Sequence, residues 1–114
     1  MLNLVGKRAL VTGASGGIGA AIARSLHSQG ALVVLAGRRA DTLDDLACEL
    51  GNNAHTALAD LSSPEGAQNL VDSALAAAGG VDILVKNAGL TRDNLSMRMS
   101  DDEWQEVLYV NLTA

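Results

Sequence analysis

Six consecutive residues, Ala31 to Ala36, carry no polar side chain. A strand of that composition meets no water on either face, so it belongs inside a parallel sheet with helices on both sides. The neighbouring segments fit the same plan. Ala9-Leu10-Val11 is a short apolar run ending in a glycine cluster, and it reads as another buried strand. Ala54 to Ala59 is a weaker strand, and Val81 to Val85 completes the set.

Helix patterns separate these strands. Ile18, Ala21, Ile22, Ser25, Leu26 and Gln29 recur at three and four, with an apolar face of Ile18, Ile22 and Leu26, and Gly30 stops the helix. Asp41 opens the next helix, in which Leu43, Leu46, Ala47 and Leu50 share a face before Gly51. Ser63 is the N-cap of a further helix, with Pro64 in its first turn. Its apolar face is Leu70, Val71, Ala74, Leu75 and Ala78, and Gly79-Gly80 ends it. Ser100-Asp101-Asp102-Glu103 has the form of a capping box, and predicts a last helix that buries Trp104, Val107, Leu108 and Leu112. Strand–helix alternation gives right-handed crossovers and a parallel sheet. The expected fold is α/β in three layers, with strand order 3-2-1-4, the N-terminal half of a doubly wound fold. Residues 1–114 make one incomplete domain, without repeats or linkers. That order leaves Val81 to Val85 as an exposed apolar edge, so the chain alone is expected to aggregate or oligomerise.

Thr12-Gly13-Ala14-Ser15-Gly16-Gly17-Ile18-Gly19 lies between the first strand and the first helix. This is the context of a Rossmann-type dinucleotide site. Gly13 suits the tight turn, Gly17 lets the main chain approach a pyrophosphate, and Gly19 lets the helix pack close to the sheet. Free N–H groups and the helix dipole then face the negative charge. The Ser15 hydroxyl adds a hydrogen bond. The spacing Gly-x-x-x-Gly-x-Gly differs from the commoner Gly-x-Gly-x-x-Gly, and no Gly-Lys-Ser/Thr follows to make a P-loop. A plain flexible turn is the alternative. The second strand ends in Gly37-Arg38-Arg39, where an acid would favour NAD by holding the ribose hydroxyls. An arginine fork suits a 2′-phosphate instead, hence NADP(H). A solvated surface pair is the alternative there.

Composition narrows the class further. The 114 residues are 48% apolar, mostly Ala, Leu and Val, with no Phe, which suits helices packed closely on a sheet. The net charge of −5 has no basic block, so a nucleic-acid partner is not expected. Cys48 is the one cysteine and is read as a small packed apolar residue rather than a reactive thiol. His27 and His55 lack further ligands at metal spacing, so no metal site is expected. The stretch after Lys7-Arg8 is too short and glycine-rich for a signal peptide. No run reaches the roughly 18 apolar residues of a membrane span. A cytoplasmic protein is the default.

Thr12 to Gly19, Asp60-Leu61, Asn87-Ala88-Gly89 and Asn111, in this order and spacing, resemble the short-chain dehydrogenase/reductases. The stretch from Val81 through Asn87-Ala88-Gly89 to Met97-Arg98-Met99 is similar to the bacterial 3-oxoacyl-[acyl-carrier-protein] reductases among them. The resemblance covers essentially the whole chain. It implies that Gly13, Ser15, Gly16, Gly17, Ile18 and Gly19 hold the pyrophosphate and that Arg38 lies near the 2′-phosphate. It implies Asp60 at the adenine amino group and Leu61 against the ring. Asn87, Ala88 and Gly89 would line the cofactor ribose and support the sheet. Asn111 would hold a water in the proton relay, the one catalytic role that falls within this chain.

The chain departs from the family's pattern in places. Lys86 stands where the family usually has the first of two asparagines. Gly16 stands where a basic residue is common, which gives Arg38 a larger share of any NADP preference. The family's catalytic serine and Tyr-x-x-x-Lys would lie beyond residue 114. Tyr109 is not that tyrosine, because Thr113 stands four residues on, and it is read as a partly packed helix residue.

The implied function is NADPH-dependent reduction of 3-oxoacyl-acyl-carrier-protein to the 3-hydroxyacyl form, in fatty-acid biosynthesis. The implied enzyme is a cytoplasmic homotetramer whose substrate is an acyl-carrier-protein thioester, with the helix near Ser100 at an interface. Residues 1–114 alone are expected to be inactive. Another NADP-dependent ketone reductase or alcohol dehydrogenase, and a non-catalytic nucleotide-binding module, are the alternatives.

Overall fold

The computed structural model describes residues 3–14, 16–58, 64–86 and 108–111. In chain order the elements are β1 (Arg8–Val11), α1 (Gly17–Ser28), β2 (Leu32–Gly37), α2 (Ala40–Leu50), β3 (Ala54–Leu58), α3 (Pro64–Ala78), β4 (Ile83–Lys86) and β5 (Leu108–Asn111). All five strands form one parallel sheet in the order β3-β2-β1-β4-β5. The expected 3-2-1-4 order is present, in a Rossmann-like arrangement, and β5 extends it.

Strand alternation divides the core between the two faces of the sheet. Leu10, Val34, Ala36, Ala57 and Leu84 meet Leu70, Val71 and Ala74 of α3 on one side. Ala9, Val11, Val33, Leu35, Ile83 and Val85 meet Ala23 of α1 and Leu43 and Leu46 of α2 on the other. The middle of β2 is buried on both faces, since Val33 to Ala36 are at most 1% exposed. Each buried Leu or Val contributes about 1.5–3 kcal/mol relative to exposure.

Three expectations are corrected. Leu108 to Asn111 form β5, paired with β4 from Ile83↔Leu108 to Lys86↔Asn111, so Leu108 and Tyr109 are strand residues and not helical. At these four residues helical spacing gives way to pairing of a segment rich in Leu, Tyr and Val with an open sheet edge. The rest of the expected last helix lies outside the described residues. Because β5 covers it, β4 is not a sheet edge, and the reason given for aggregation falls with that correction. The second correction concerns α1, where Ile18 is 49% exposed while Gly19 and Ala23 are buried. The small residues face the sheet because the helix approaches it closely; Ile22 and Leu26 flank them, partly buried. The third is Cys48, which is exposed on α2, outside the Leu43–Leu46–Ala47–Leu50 stripe.

Polar ties finish the scaffold at the amino ends of the strands. Arg8 Nε and Nη2 donate to the Asp82 carboxylate at 2.9 and 3.3 Å, joining β1 to the start of β4. The hydrogen bond from Arg8 holds the Asp82 carboxyl below its usual pKa, against the opposing effect of partial burial. On the surface, Arg24 of α1 pairs with Glu49 of α2 at 2.6 Å. Among the described residues no helix is long and apolar enough to cross a membrane.

Candidate functional site

The carboxyl ends of β1, β2 and β4 lie side by side, and the glycine-rich turn starts there. Thr12 anchors it. Its side chain is fully buried, and both its N–H and its Oγ1 donate to the Val85 carbonyl, at 3.0 and 2.9 Å. Gly13 follows with φ of +67°, a left-handed conformation that costs a side-chain-bearing residue. Ala14 is 0% exposed, and its N–H donates to Ala36 O at 2.9 Å. The turn is therefore fixed to β4 on one side and to β2 on the other.

From this anchored turn α1 rises. Gly16 is its N-cap and supplies no side-chain cap, and the first helical turn holds no acid. The first bond of the helix runs from Ala20 N–H to Gly16 O at 2.9 Å. The N–H groups of Gly17, Ile18 and Gly19 precede it and have no acceptor within the helix. They carry the positive end of the helix dipole. Gly19 allows the close start, because a Cβ there would meet Gly13 O, and Gly13 C at 2.8 Å. A Cβ on Gly17 would meet nothing within 4 Å. Space beside Gly17 is thus open to a ligand, while space beside Gly19 is filled by the protein.

Arg38 and Arg39 follow β2 directly, both exposed and without an ion pair among the described residues. Since Ala14 is bonded to Ala36, Arg38 starts two residues along the chain from the turn's own anchor point. This places Arg38 in the chain segment that follows the turn's anchor on β2, an arrangement that suits a phosphate-bearing ligand. Arg39 is also the N-cap of α2, which differs from α1 in having Asp41 in its first turn.

Of the residues singled out from the sequence, Gly13, Gly16, Gly17, Ile18, Gly19 and Arg38 are brought to this edge. Asn111 is placed on β5 as the register partner of Lys86, also at the carboxyl end of the sheet. Ser15, Asp60, Leu61, Asn87, Ala88 and Gly89 lie outside the described residues. Sequence reading gave no role to Thr12 or Ala14, the two anchors of the turn. A buried threonine ending an apolar strand was the available signal, but its acceptor stands 73 residues away.

Comparison with known proteins agrees with this architecture. A family model described as short chain dehydrogenase matches residues 7–114. Nodulation protein G of Rhizobium sp. (strain N33) is 55% identical over the whole chain, which covers 46% of that protein. The 3-oxoacyl-[acyl-carrier-protein] reductase FabG of Escherichia coli (strain K12) is 42% identical over 99% of the chain and 46% of its own length. The chain thus spans about half the length of the curated relatives it matches.

Among solved structures, the 3-ketoacyl-(acyl-carrier-protein) reductase of Brucella melitensis complexed with NADH superposes with a TM-score of 0.73 at 40% identity. It matches 76% of this chain and 36% of its own. The Pseudomonas aeruginosa RhlG/NADP active-site complex gives 0.72 at 41% identity, over 77% and 36%. A glycine turn built into the sheet, an uncapped helix behind it and a family match that begins one residue before β1 lead to one conclusion: the chain belongs to the short-chain dehydrogenase family, close to its 3-oxoacyl-[acyl-carrier-protein] reductases.

Proposed function

We propose that the intact protein reduces 3-oxoacyl groups on acyl-carrier-protein to the 3-hydroxyacyl form with NADPH, as a cytoplasmic homotetramer in fatty-acid synthesis. The observation that carries the cofactor half is Arg38, exposed after β2 and unpaired by any acid among the described residues, beside an anchored glycine turn. Gly17, Ile18 and Gly19 N–H groups receive the pyrophosphate, with Gly13 and Gly16 shaping the turn and Ser15 adding its hydroxyl. Arg38 receives the 2′-phosphate. Asp60 and Leu61 hold the adenine, residues 87–89 the ribose, and Asn111 a relay water. Bound NADPH supplies the hydride. Residues 1–114 contain no Tyr-x-x-x-Lys, and on their own we expect them to bind cofactor without reducing a ketone.

The substrate half is supported by the whole-chain likeness to the reductases of Escherichia coli and Brucella melitensis. The likeness to nodulation protein G favours a second reading, in which the same cofactor site serves a different ketone. Titration of NADPH and NADH into the wild type and Arg38→Asp tests the cofactor. We expect NADPH affinity to fall by about 30-fold, the loss of a charge-assisted pair, with NADH nearly unchanged. Equal loss for both cofactors removes Arg38 from this role. Turnover of acetoacetyl-acyl-carrier-protein against simple ketones then decides the substrate.

A further inference from the structure

β1 and β4 run side by side, and the glycine turn that follows Val11 is anchored through Thr12 to Val85 of β4. Their alignment therefore sets where the turn of the proposed cofactor site is held. Apolar burial does not choose that alignment. Ala9, Leu10 and Val11 face Ile83, Leu84 and Val85, and every one of them is buried. A one-residue slip exchanges the faces of a strand, but here both faces accept apolar side chains. It also displaces the strand end by about 3.3 Å, enough to ruin a phosphate or ribose contact.

A directional polar contact stands where a choice is needed. The Asp82 carboxylate accepts the Arg8 N–H at 2.8 Å, Arg8 Nε at 2.9 Å and Arg8 Nη2 at 3.3 Å. The Asp82 N–H returns a bond to Arg8 O at 2.8 Å. The turn before β4 is shaped around this guanidinium, since a Cβ on Gly80 would lie 2.7 Å from Arg8 Nη1 and 3.0 Å from Cζ. Any slip of β4 breaks all these contacts together. Polar pairs that specify register at a cost in stability are well attested in coiled coils.

We propose that Arg8 and Asp82 are positioning residues, a register lock that holds β4 against β1 and so keeps the Val85 carbonyl where Thr12 anchors the glycine turn. The effect on the cofactor rests on the NADPH reading above. The lock itself does not.

The test uses the full-length protein with Asp82→Ala, Arg8→Ala, their double variant, and the milder Arg8→Lys in case the alanines do not fold. Arg24→Ala, which removes an exposed ion pair between α1 and α2, is the control. NADPH dissociation constants are measured well below each melting temperature, and amide exchange is followed at Thr12 and Val33. Thr12 N–H bonds across β1–β4 to Val85, whereas Val33 N–H bonds to Asn53 beyond β2. We expect the lock variants to weaken NADPH five- to tenfold, with the double variant no worse than either single. We expect Thr12 to lose at least tenfold protection while Val33 holds. Equal loss at both amides means global destabilisation and overturns the lock, as does a lowered melting temperature with an unchanged dissociation constant. A wild type that does not bind NADPH overturns the cofactor reading instead, and the exchange comparison still decides the lock.

Discussion

The two ends of the sheet treat charge in opposite ways. At the amino end, Arg8 and Asp82 satisfy each other through several bonds, and little is left to offer a ligand. At the carboxyl end, α1 begins on a glycine without a side-chain cap, three N–H groups have no acceptor within the helix, and Arg38 carries no ion pair among the described residues. A helix start without a side-chain cap and a guanidinium with no ion pair among the described residues do not tie the fold together. The difference separates a scaffold that holds itself from the surface we propose for the cofactor's phosphates.

Substitutions at the carboxyl end put that contrast to the strongest test. Gly19→Val drives its Cβ into the backbone of Gly13, which cannot swing aside like a side-chain tip. We expect a loss of about 2–3 kcal/mol in denaturant unfolding, together with loss of NADPH binding. Gly17→Ala sits in open space. It should leave stability equal or raise it by up to about 1 kcal/mol, through better helix propensity, while NADPH affinity falls at least tenfold. A Gly17→Ala protein with unchanged affinity removes the pyrophosphate from beside that residue.

The amino end should answer in stability and with a defined pH dependence. Asp82→Asn is expected to cost about 1–2 kcal/mol at pH 7, the value of charge-assisted hydrogen bonds after partial solvent screening. The Asp82 carboxyl has its folded-state pKa lowered, chiefly by the Arg8 hydrogen bond. Its contribution is thus present in full above the unfolded value of about 3.9, and is lost as pH falls through the lower folded value. Unfolding curves of wild type and Asp82→Asn should converge in that acid range, and a gap independent of pH would assign the effect to shape instead of charge. The smallest effect belongs to Arg24→Ala. Its partner Glu49 also has a lowered pKa because of the Arg24 hydrogen bond, but the pair is solvent-exposed. No measurable change in melting temperature is expected.

These two ends were not equally legible in the sequence. β2 announces itself, because six apolar residues in a row admit few other placements. The glycine turn is also readable, since its spacing and its place between strand and helix are local. Arg8 with Asp82, and Thr12 with Val85, join residues more than 70 positions apart, and no local pattern reveals such pairs. Large side chains dominate the periodicity of α1, whereas close helix–sheet contact selects the small Gly19 and Ala23. Leu108 to Asn111 went astray for the converse reason. A sound capping signal upstream says nothing about a vacant strand position beside β4.

Ala14 has a consequence for how this protein tolerates change. Connections between elements usually absorb insertions and deletions freely. Here the middle of the connection is as inaccessible as the core, at 0% exposed, and its N–H is bonded to Ala36 of another strand. Adding or deleting one residue between Val11 and Gly17 would withdraw Ala14 from its seat or push Gly19 off Gly13. The turn is thus a piece of fixed length, closer to a gauge block than to a hinge, and variation in this protein must pass around it.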